Sequence, residues 1–273
     1  MHDKAFEVET IIQDVLAKLN IAEADNAQRE ESGDEGAEVK TNCTLTEFVG
    51  TAKHGNTIGL VIANVDNSLL EKMELEEKYY SLGIMGARTG AGSQIMAADE
   101  AVKATNTEII SIELPRDAEG GAGQGSLIIF GGADISDVKR AVEIALKEVN
   151  TRTFGDVYSN EAGQIELQYT ARASSACNKA WKAPANRACG VIIGAPAAIG
   201  IVMADTALKS AGVEIVEYRT PHRGQNFSNE VTMIITGDSG AVRQAVISAR
   251  EVGMKLLSAL GSEPTSNQPS YIL

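Results

Sequence analysis

Aromatic side chains are scarce in this chain. One Trp, five Phe and six Tyr make up 4% of 273 residues, whereas hydrophobic residues as a whole reach 44%. A core of that composition is built from Ala, Val, Ile and Leu, which suits small, closely packed α/β layers, and the length allows two domains of ordinary size. Cysteine is scarce too. Cys43, Cys177 and Cys189 form no CxxC pair, and His2, His54 and His222 lie far apart. This spacing excludes a disulfide framework, argues against a zinc site, and predicts reduced thiols in a cytosolic protein. Basic charge is in deficit, with 24 Lys and Arg against 37 Asp and Glu, a net charge of −13. Nucleic acids and anionic membranes need clustered cations, so neither is an expected partner, and the acidity serves solubility.

Long apolar runs are missing as well. The longest uncharged stretch, residues 188–204, is broken by Gly190, Gly194, Pro196 and Gly200, so it reads as strand, turn and helix start rather than a membrane span. The N-terminus lacks the basic flank and apolar block of a secretory signal, and the expectation is a soluble protein. No HExxH or GxSxG occurs, and no His lies beside an obvious nucleophile. The nearest approach to a nucleotide site is SLGIMGARTGAGSQIM, residues 81–96: strand, glycine-rich turn, then a helix N-terminus that would favour an anion. Its glycines, Gly83, Gly86, Gly90 and Gly92, miss the GxGxxG spacing, and no GK[ST] follows. A tight, closely packed turn is the better reading. Asp99, Glu100 and Asp205 are expected on helix surfaces as solvated ion pairs, so the residues predict no enzyme, no metal and no cofactor.

What the chain does contain is one domain twice. ADEAVKATNTEII (98–110) aligns with ADTALKSAGVEIV (204–216) at an offset of 106, with six of thirteen positions identical. At the same offset LIIFG (127–131) meets MIITG (233–237), and after a two-residue contraction VKRAVEIA (138–145) meets VRQAVISA (242–249). Each copy reads as strand, helix, two hairpin strands and a second helix. In that last helix Val138, Ala141, Val142, Ala145, Leu146 and Val149 recur at helical spacing along one face. The expected fold is α/β, an α+β sandwich of two tandem ferredoxin-like modules, each a small, mainly antiparallel sheet with two helices on one face. An additional strand is expected before each module, at 56–65 and 163–172, as the edge strand. The module boundaries are read as 51–150 and 151–260, followed by a C-terminal tail at 261–273.

Ahead of the modules, Val8, Ile11, Ile12, Val15, Leu16 and Leu19 mark one face of an amphipathic helix over residues 1–20. An acidic, small-residue linker and an irregular lead-in occupy 21–50. A helix on such a tether docks onto a partner or onto the protein's own surface, and the pattern alone leaves both open.

The order GIMGARTGAGSQIMAADEAVKATNTEIISIE, a glycine-rich loop, then SLIIFGGADISDVKRAVEIALKEV resembles the BMC fold of bacterial microcompartment shell proteins. RACGVIIGAPAAIGIVMADTALKSAGVEIVEYRT with VTMIITGDSGAVRQAVISARE matches it a second time, so the likeness covers roughly 56–260. The tandem arrangement is similar to the circularly permuted, double-domain class. The resemblance implies a structural protein: a homotrimer forming a flat pseudohexameric tile in a cytoplasmic organelle shell of propanediol or ethanolamine-type metabolism. It implies other shell proteins as partners, and passage of small polar metabolites through pores. It also implies that the loop between the two middle strands of each module lines a central pore. In the first module that loop carries Arg116, Asp117, Glu119, Gly120, Gly121, Gly123, Gln124 and Gly125; in the second, His222, Arg223, Gln225, Asn226, Phe227 and Ser228. Glycines there would relieve crowding where several copies converge.

The family's edge lysine after the first strand is replaced here by Arg88 one position away and by Ala195 in the second module. Neither loop holds a cysteine, so the iron–sulfur cluster found in some relatives is not expected. The resemblance turns the N-terminal helix toward a docking role on luminal enzymes. A different class of function remains open on fold alone: a soluble regulatory protein binding a small ligand between two ferredoxin-like modules.

Overall fold

Two sheets with the same strand order carry the duplication into three dimensions. The computed structural model describes residues 43–76, 78–115, 124–221 and 229–273. The first sheet holds β1 (Phe48–Ala52), β2 (Thr57–Ile62), β3 (Ser81–Ala87), β4 (Glu108–Glu113) and β5 (Ser126–Gly132), arranged β1-β2-β3-β5-β4. The second holds β6 (Val157–Asn160), β7 (Gly163–Thr170), β8 (Ala188–Ala195), β9 (Val213–Arg219) and β10 (Val231–Gly237), arranged β6-β7-β8-β10-β9. Neighbouring strands pair antiparallel throughout. Even the irregularities repeat: the ladder slips at Ile110 in β4 and at Val216 in β9, residues 106 apart.

Six α-helices accompany the sheets among the described residues: α1 (Asn67–Lys72), α2 (Gly92–Ala104), α3 (Ile135–Thr151), α4 (Ser175–Trp181), α5 (Ala197–Ser210) and α6 (Ser239–Ser258). Asp134 caps α3 by accepting from the Ser136 amide at 2.7 Å, and Asp238 caps α6 by accepting from the Gly240 amide at 2.9 Å. The six apolar positions read along α3 are its buried face. Glycine lets these helices approach the sheets. A Cβ on Gly83 would press on Val138 and Val142 of α3, and one on Gly190 would press on Val242 and Val246 of α6.

The structure changes several sequence expectations. The lead-in at 40–50 ends in β1, which pairs with β2 and takes the edge of the sheet. The strand expected as the edge is therefore second in each sheet, and β6 is the edge of the other. The short helices α1 and α4 each follow the second strand, capped by Asp66 and Ser174. Six or seven residues give too few turns for a hydrophobic period to register.

The modules are not independent. Ile95, Met96 and Ala98 of α2 form one buried cluster with Cys177 of α4 and with Cys189, Val191 and Ile234 on the back of the second sheet. The tail returns to this junction. Thr265 bridges Ser159 of β6, and Ile272 ends 1% exposed.

Candidate functional site

The β4–β5 and β9–β10 connections occupy the same topological position in each module. At the foot of the first, Gly125 donates its amide to the Pro115 carbonyl at 2.9 Å, and Gln124 donates Nε2 to the Leu114 carbonyl at 3.3 Å. A Cβ on Gly125 would collide with the Ala87 and Arg88 carbonyls, so glycine is required where the loop re-enters the sheet. At the foot of the second, Asn229 accepts through Oδ1 from the Ala197 amide at 3.2 Å, tying the loop to the first turn of α5. Arg116, Asp117, Glu119, Gly120, Gly121 and Gly123 lie outside the described residues, as do His222, Arg223, Gln225, Asn226, Phe227 and Ser228. The expected N-terminal helix, with Val8, Ile11, Ile12, Val15, Leu16 and Leu19, also falls outside them. Arg88 is exposed just past β3, and its amide donates to the Gly55 carbonyl at 3.0 Å.

The polar side chains that come together lie at the junction between modules, where sequence patterning did not place them. Asp99 is fully buried rather than on a solvated helix surface, because the second module covers that face of α2. Its Oδ1 accepts from the Ser174 hydroxyl at 2.6 Å and amide at 2.8 Å, and from the Cys177 amide at 3.3 Å. Lys103 Nζ lies 2.7 Å from Asp99 Oδ2 and 3.0 Å from Glu100 Oε1, and donates to Thr170 Oγ1 at 2.9 Å. Burial lowers the Lys103 pKa, but the two carboxylates outweigh it and hold the value above that of an ordinary lysine. The matching pair in the second module, Asp205 and Lys209, stays exposed as expected.

The glycine-rich turn before α2 meets a carboxylate from this chain. Glu166 of β7 sits against Gly92, where a Cβ would strike its Oε1. Gln168 Nε2 bridges Glu166 Oε1 at 2.9 Å, Ser93 Oγ at 3.1 Å and the Thr153 carbonyl at 3.0 Å. Burial raises the Glu166 pKa and the nearby Glu230 adds to it, while hydrogen bonds from Gln168 and Ser93 oppose the shift. The Tyr271 hydroxyl donates to Gln168 Oε1 at 2.7 Å and accepts from the Tyr169 amide at 3.0 Å. Nearby, the buried Asp156 carboxylate holds the tail through the Tyr271 and Ile272 amides at 3.0 and 3.2 Å, with Arg250 Nη1 at 2.6 Å. The alternation of Glu166 and Gln168 with apolar neighbours was the available signal, but it reads equally as a solvent-facing strand edge.

These groups are saturated with partners from their own chain, an arrangement suited to joining modules. Among the described residues, no group of three or more His, Cys, Asp or Glu could hold a metal ion, and no helix is long and apolar enough to cross a membrane.

Comparison with known proteins agrees with this architecture. Residues 81–161 and 188–263 each match the BMC domain, beginning at β3 and at β8. Bacterial microcompartment shell protein PduB of Citrobacter freundii is 68% identical over 238 residues, covering 87% of each chain. A crystal structure described as a trimeric bacterial microcompartment shell protein PduB superposes with a TM-score of 0.78 at 53% identity, covering 83% of this chain and all of the other. EtuB from Clostridium kluyveri does so with a TM-score of 0.78 at 50% identity, covering 84% of this chain and all of the other. The chain belongs to the BMC-domain family of bacterial microcompartment shell proteins and carries the domain twice.

Proposed function

We propose that three copies of this chain close into a flat tile of six modules, a structural unit of a microcompartment shell in the bacterial cytoplasm. The observation that carries this is the repeated sheet order, β1-β2-β3-β5-β4 and β6-β7-β8-β10-β9, with a loop at the same place in each. A chain with two such modules needs three copies to complete a six-membered ring. The similar solved structure described as trimeric supports the same stoichiometry. The role is structural rather than enzymatic: the helix N-terminus most like an anion site already faces Glu166.

The two loops line an opening on the tile axis. Gly120, Gly121 and Gly123 give the first loop the less bulky composition, while His222, Arg223 and Phe227 furnish the second with donors and bulk. Small polar metabolites would pass by exchanging water for the loops' backbone amides and carbonyls. Arg88 serves contacts between tiles, and the amphipathic N-terminal segment docks luminal enzymes. No resident cofactor belongs to this reading.

The test is the native mass of the whole chain, followed by electron microscopy of concentrated protein. A mass of three 28.8 kDa chains that forms sheets supports the tile. A monomer or dimer that never tiles overturns it. For the opening, replacing Gly121 and Gly123 by Phe should lower the conductance of reconstituted tiles; unchanged conductance would remove the first loop from the pore.

A further inference from the structure

The two modules part company at the last turns of their long helices. With Val138 aligned on Val242, the offset is 104, and Arg250 of α6 stands where Leu146 of α3 is buried. Leu146 lies against Gly50 and Gly59, and one turn on, Asn150 ties α3 to the end of β1 by accepting from the Lys53 amide at 3.0 Å. Hydrocarbon and a strand close that space in the first module. In the second, Met254 replaces Asn150 and the tail forms the wall instead, leaving a groove of about 770 Å³ between α6, Tyr158 of β6 and Ser270 of the tail. That size is ordinary for a site that takes a small organic ligand.

Arg250 is held in this groove by one nitrogen only. Its Nη1 donates to Asp156 Oδ1 at 2.6 Å, to Ser270 Oγ at 2.6 Å and to the Ile272 carbonyl at 2.9 Å. Nε and Nη2 have no partner among the described residues, and both reach solvent. They form one edge of the guanidinium, a planar fork that matches the two oxygens of a carboxylate. The buried Asp156 fixes the orientation of that fork, so little side-chain freedom remains to be lost on binding. Beside it, the exposed side chains of Lys255 and Glu251 also have no partner among the described residues. Glu263 lines the groove too, accepting from the Ser258 hydroxyl at 2.9 Å.

We infer that this groove binds a small zwitterion of amino-acid type, with its carboxylate on the free edge of Arg250 and its ammonium toward Glu251 and Glu263. The charge balance selects a zwitterion over a plain anion. Asp156 already matches Arg250, which leaves Lys255 facing two carboxylates. A simple carboxylate or phosphate would meet that surplus of negative charge with nothing to offset it, in a chain whose net charge is −13. A ligand with both signs satisfies the fork and the acidic wall together, and a plain amine gains only the second. The ring of Tyr158 and the thioether of Met254 supply an apolar surface for its side chain. Since Arg250 also grips Ser270 and Ile272, an occupant that steadies the guanidinium steadies the tail.

The test uses the full-length chain and a mixture of the common amino acids, read by saturation-transfer NMR, then calorimetry with the strongest binder beside acetate and ethylammonium. The amino acid should bind at least about tenfold more tightly than either half-ligand, and should slow carboxypeptidase at Leu273. Arg250→Lys keeps a cation for Asp156 but has no fork, and should weaken binding at least about tenfold. Lys255→Ala and Glu251→Gln alter exposed side chains without partners, so the fold stays intact; Glu251→Gln should weaken the amino acid and leave acetate unchanged. Lys147→Ala, exposed on α3 at the position equivalent to Glu251, should change nothing. No amino acid bound at about 10 mM overturns the inference. So does binding that all three groove variants leave unchanged, which would place the ligand elsewhere, or acetate binding as tightly as the amino acid, which would make the groove a plain anion site. None of these outcomes bears on the tile, which native mass and microscopy decide.

Discussion

Asp99 and Ser174, one from each module, are joined twice: the Ser174 hydroxyl and amide both donate to Asp99 Oδ1, at 2.6 and 2.8 Å. A carboxylate on one repeat thus satisfies the first turn of a helix in the other, with Lys103 closing the charge at 2.7 Å. Removing one partner from such a buried set leaves the others desolvated and unmatched.

Asp99→Ala is accordingly expected to cost about 3 kcal/mol, the low end for a broken buried pair, because Glu100 still holds Lys103. Asp99→Asn keeps an acceptor and should lose about 1–2 kcal/mol. Arg140→Ala, which breaks an exposed pair with Glu143, should stay within about 0.5 kcal/mol of wild type. Urea unfolding at one fixed chain concentration reads all three, since association adds to apparent stability. An Asp99→Ala midpoint matching that of Arg140→Ala would mean this cluster does not hold the modules together.

The contrast between Asp99 and Asp205 shows what can be read along a chain. Both sit in an ADxAxK segment, and the repeat, the helix and the ion pair are all legible there. Periodicity says which residues share a face; it does not say what lies against that face. α2 is covered by the second module and α5 is not, so one aspartate is buried and its twin is 58% exposed at the side chain. The long helices were readable because six core positions of α3 repeat over several turns. β1, with five residues, and α1, with six, are too short to show a period. Glu166 and Gln168 were hidden for the same reason as Asp99: a polar strand face signals either water or a polar partner from afar.

Glu166 makes stability depend on pH in an identifiable direction. Burial lifts its pKa above the ordinary 4.5, so the folded chain holds its proton over a range where the unfolded chain has released it. Its contribution is therefore most favourable below the unfolded value and declines as pH rises to the folded pKa, beyond which the loss is constant. Glu166→Gln removes the ionisation while keeping an acceptor for Gln168, which donates at 2.9 Å. The variant should gain on wild type as pH increases, with a larger unfolding midpoint difference near pH 8 than near pH 4.5. A difference that is flat or shrinks across that range would show that the carboxyl ionises in the folded chain as readily as in the unfolded one.

The three thiols should separate cleanly by reactivity. Cys43 is exposed, while Cys177 and Cys189 are buried. Burial pushes the Cys177 thiol well above its ordinary pKa, and the neighbouring Cys189 adds to the effect. Native protein treated with iodoacetamide at neutral pH should modify Cys43 at least about a hundredfold faster than the other two, whose reaction waits on opening of the fold. Cys43→Ser should abolish the fast phase, and denaturant should restore reaction at both remaining sites. A second fast thiol in the native variant would show that the packing around α4 and β8 opens readily.

The tail that crosses the junction should be removable only at a cost. Asp156 is buried and holds Ser270 Oγ at 2.7 Å, the Tyr271 amide at 3.0 Å and Arg250 at 2.6 Å, while Ile272 fills the second core beside them. Asp156→Ala takes away the acceptor common to all these donors and leaves Arg250, 19% exposed at its side chain, without its carboxylate, a loss of about 3–5 kcal/mol. Ile272→Ala removes only the apolar anchor, at about 2–4 kcal/mol. The two should differ in how the tail behaves as well. With Ile272→Ala the Ser270 and Tyr271 bonds persist, so carboxypeptidase should trim the last residues and slow at Tyr271. With Asp156→Ala, Ser270, Tyr271 and Ile272 lose their shared acceptor, and digestion should run past Tyr271 to Gln268, whose Nε2 donates to the Val149 and Asn150 carbonyls. Equal digestion of both variants and wild type would mean that the strap already opens faster than the enzyme cuts, and that Asp156 sets the stability of the junction without fixing the position of the tail.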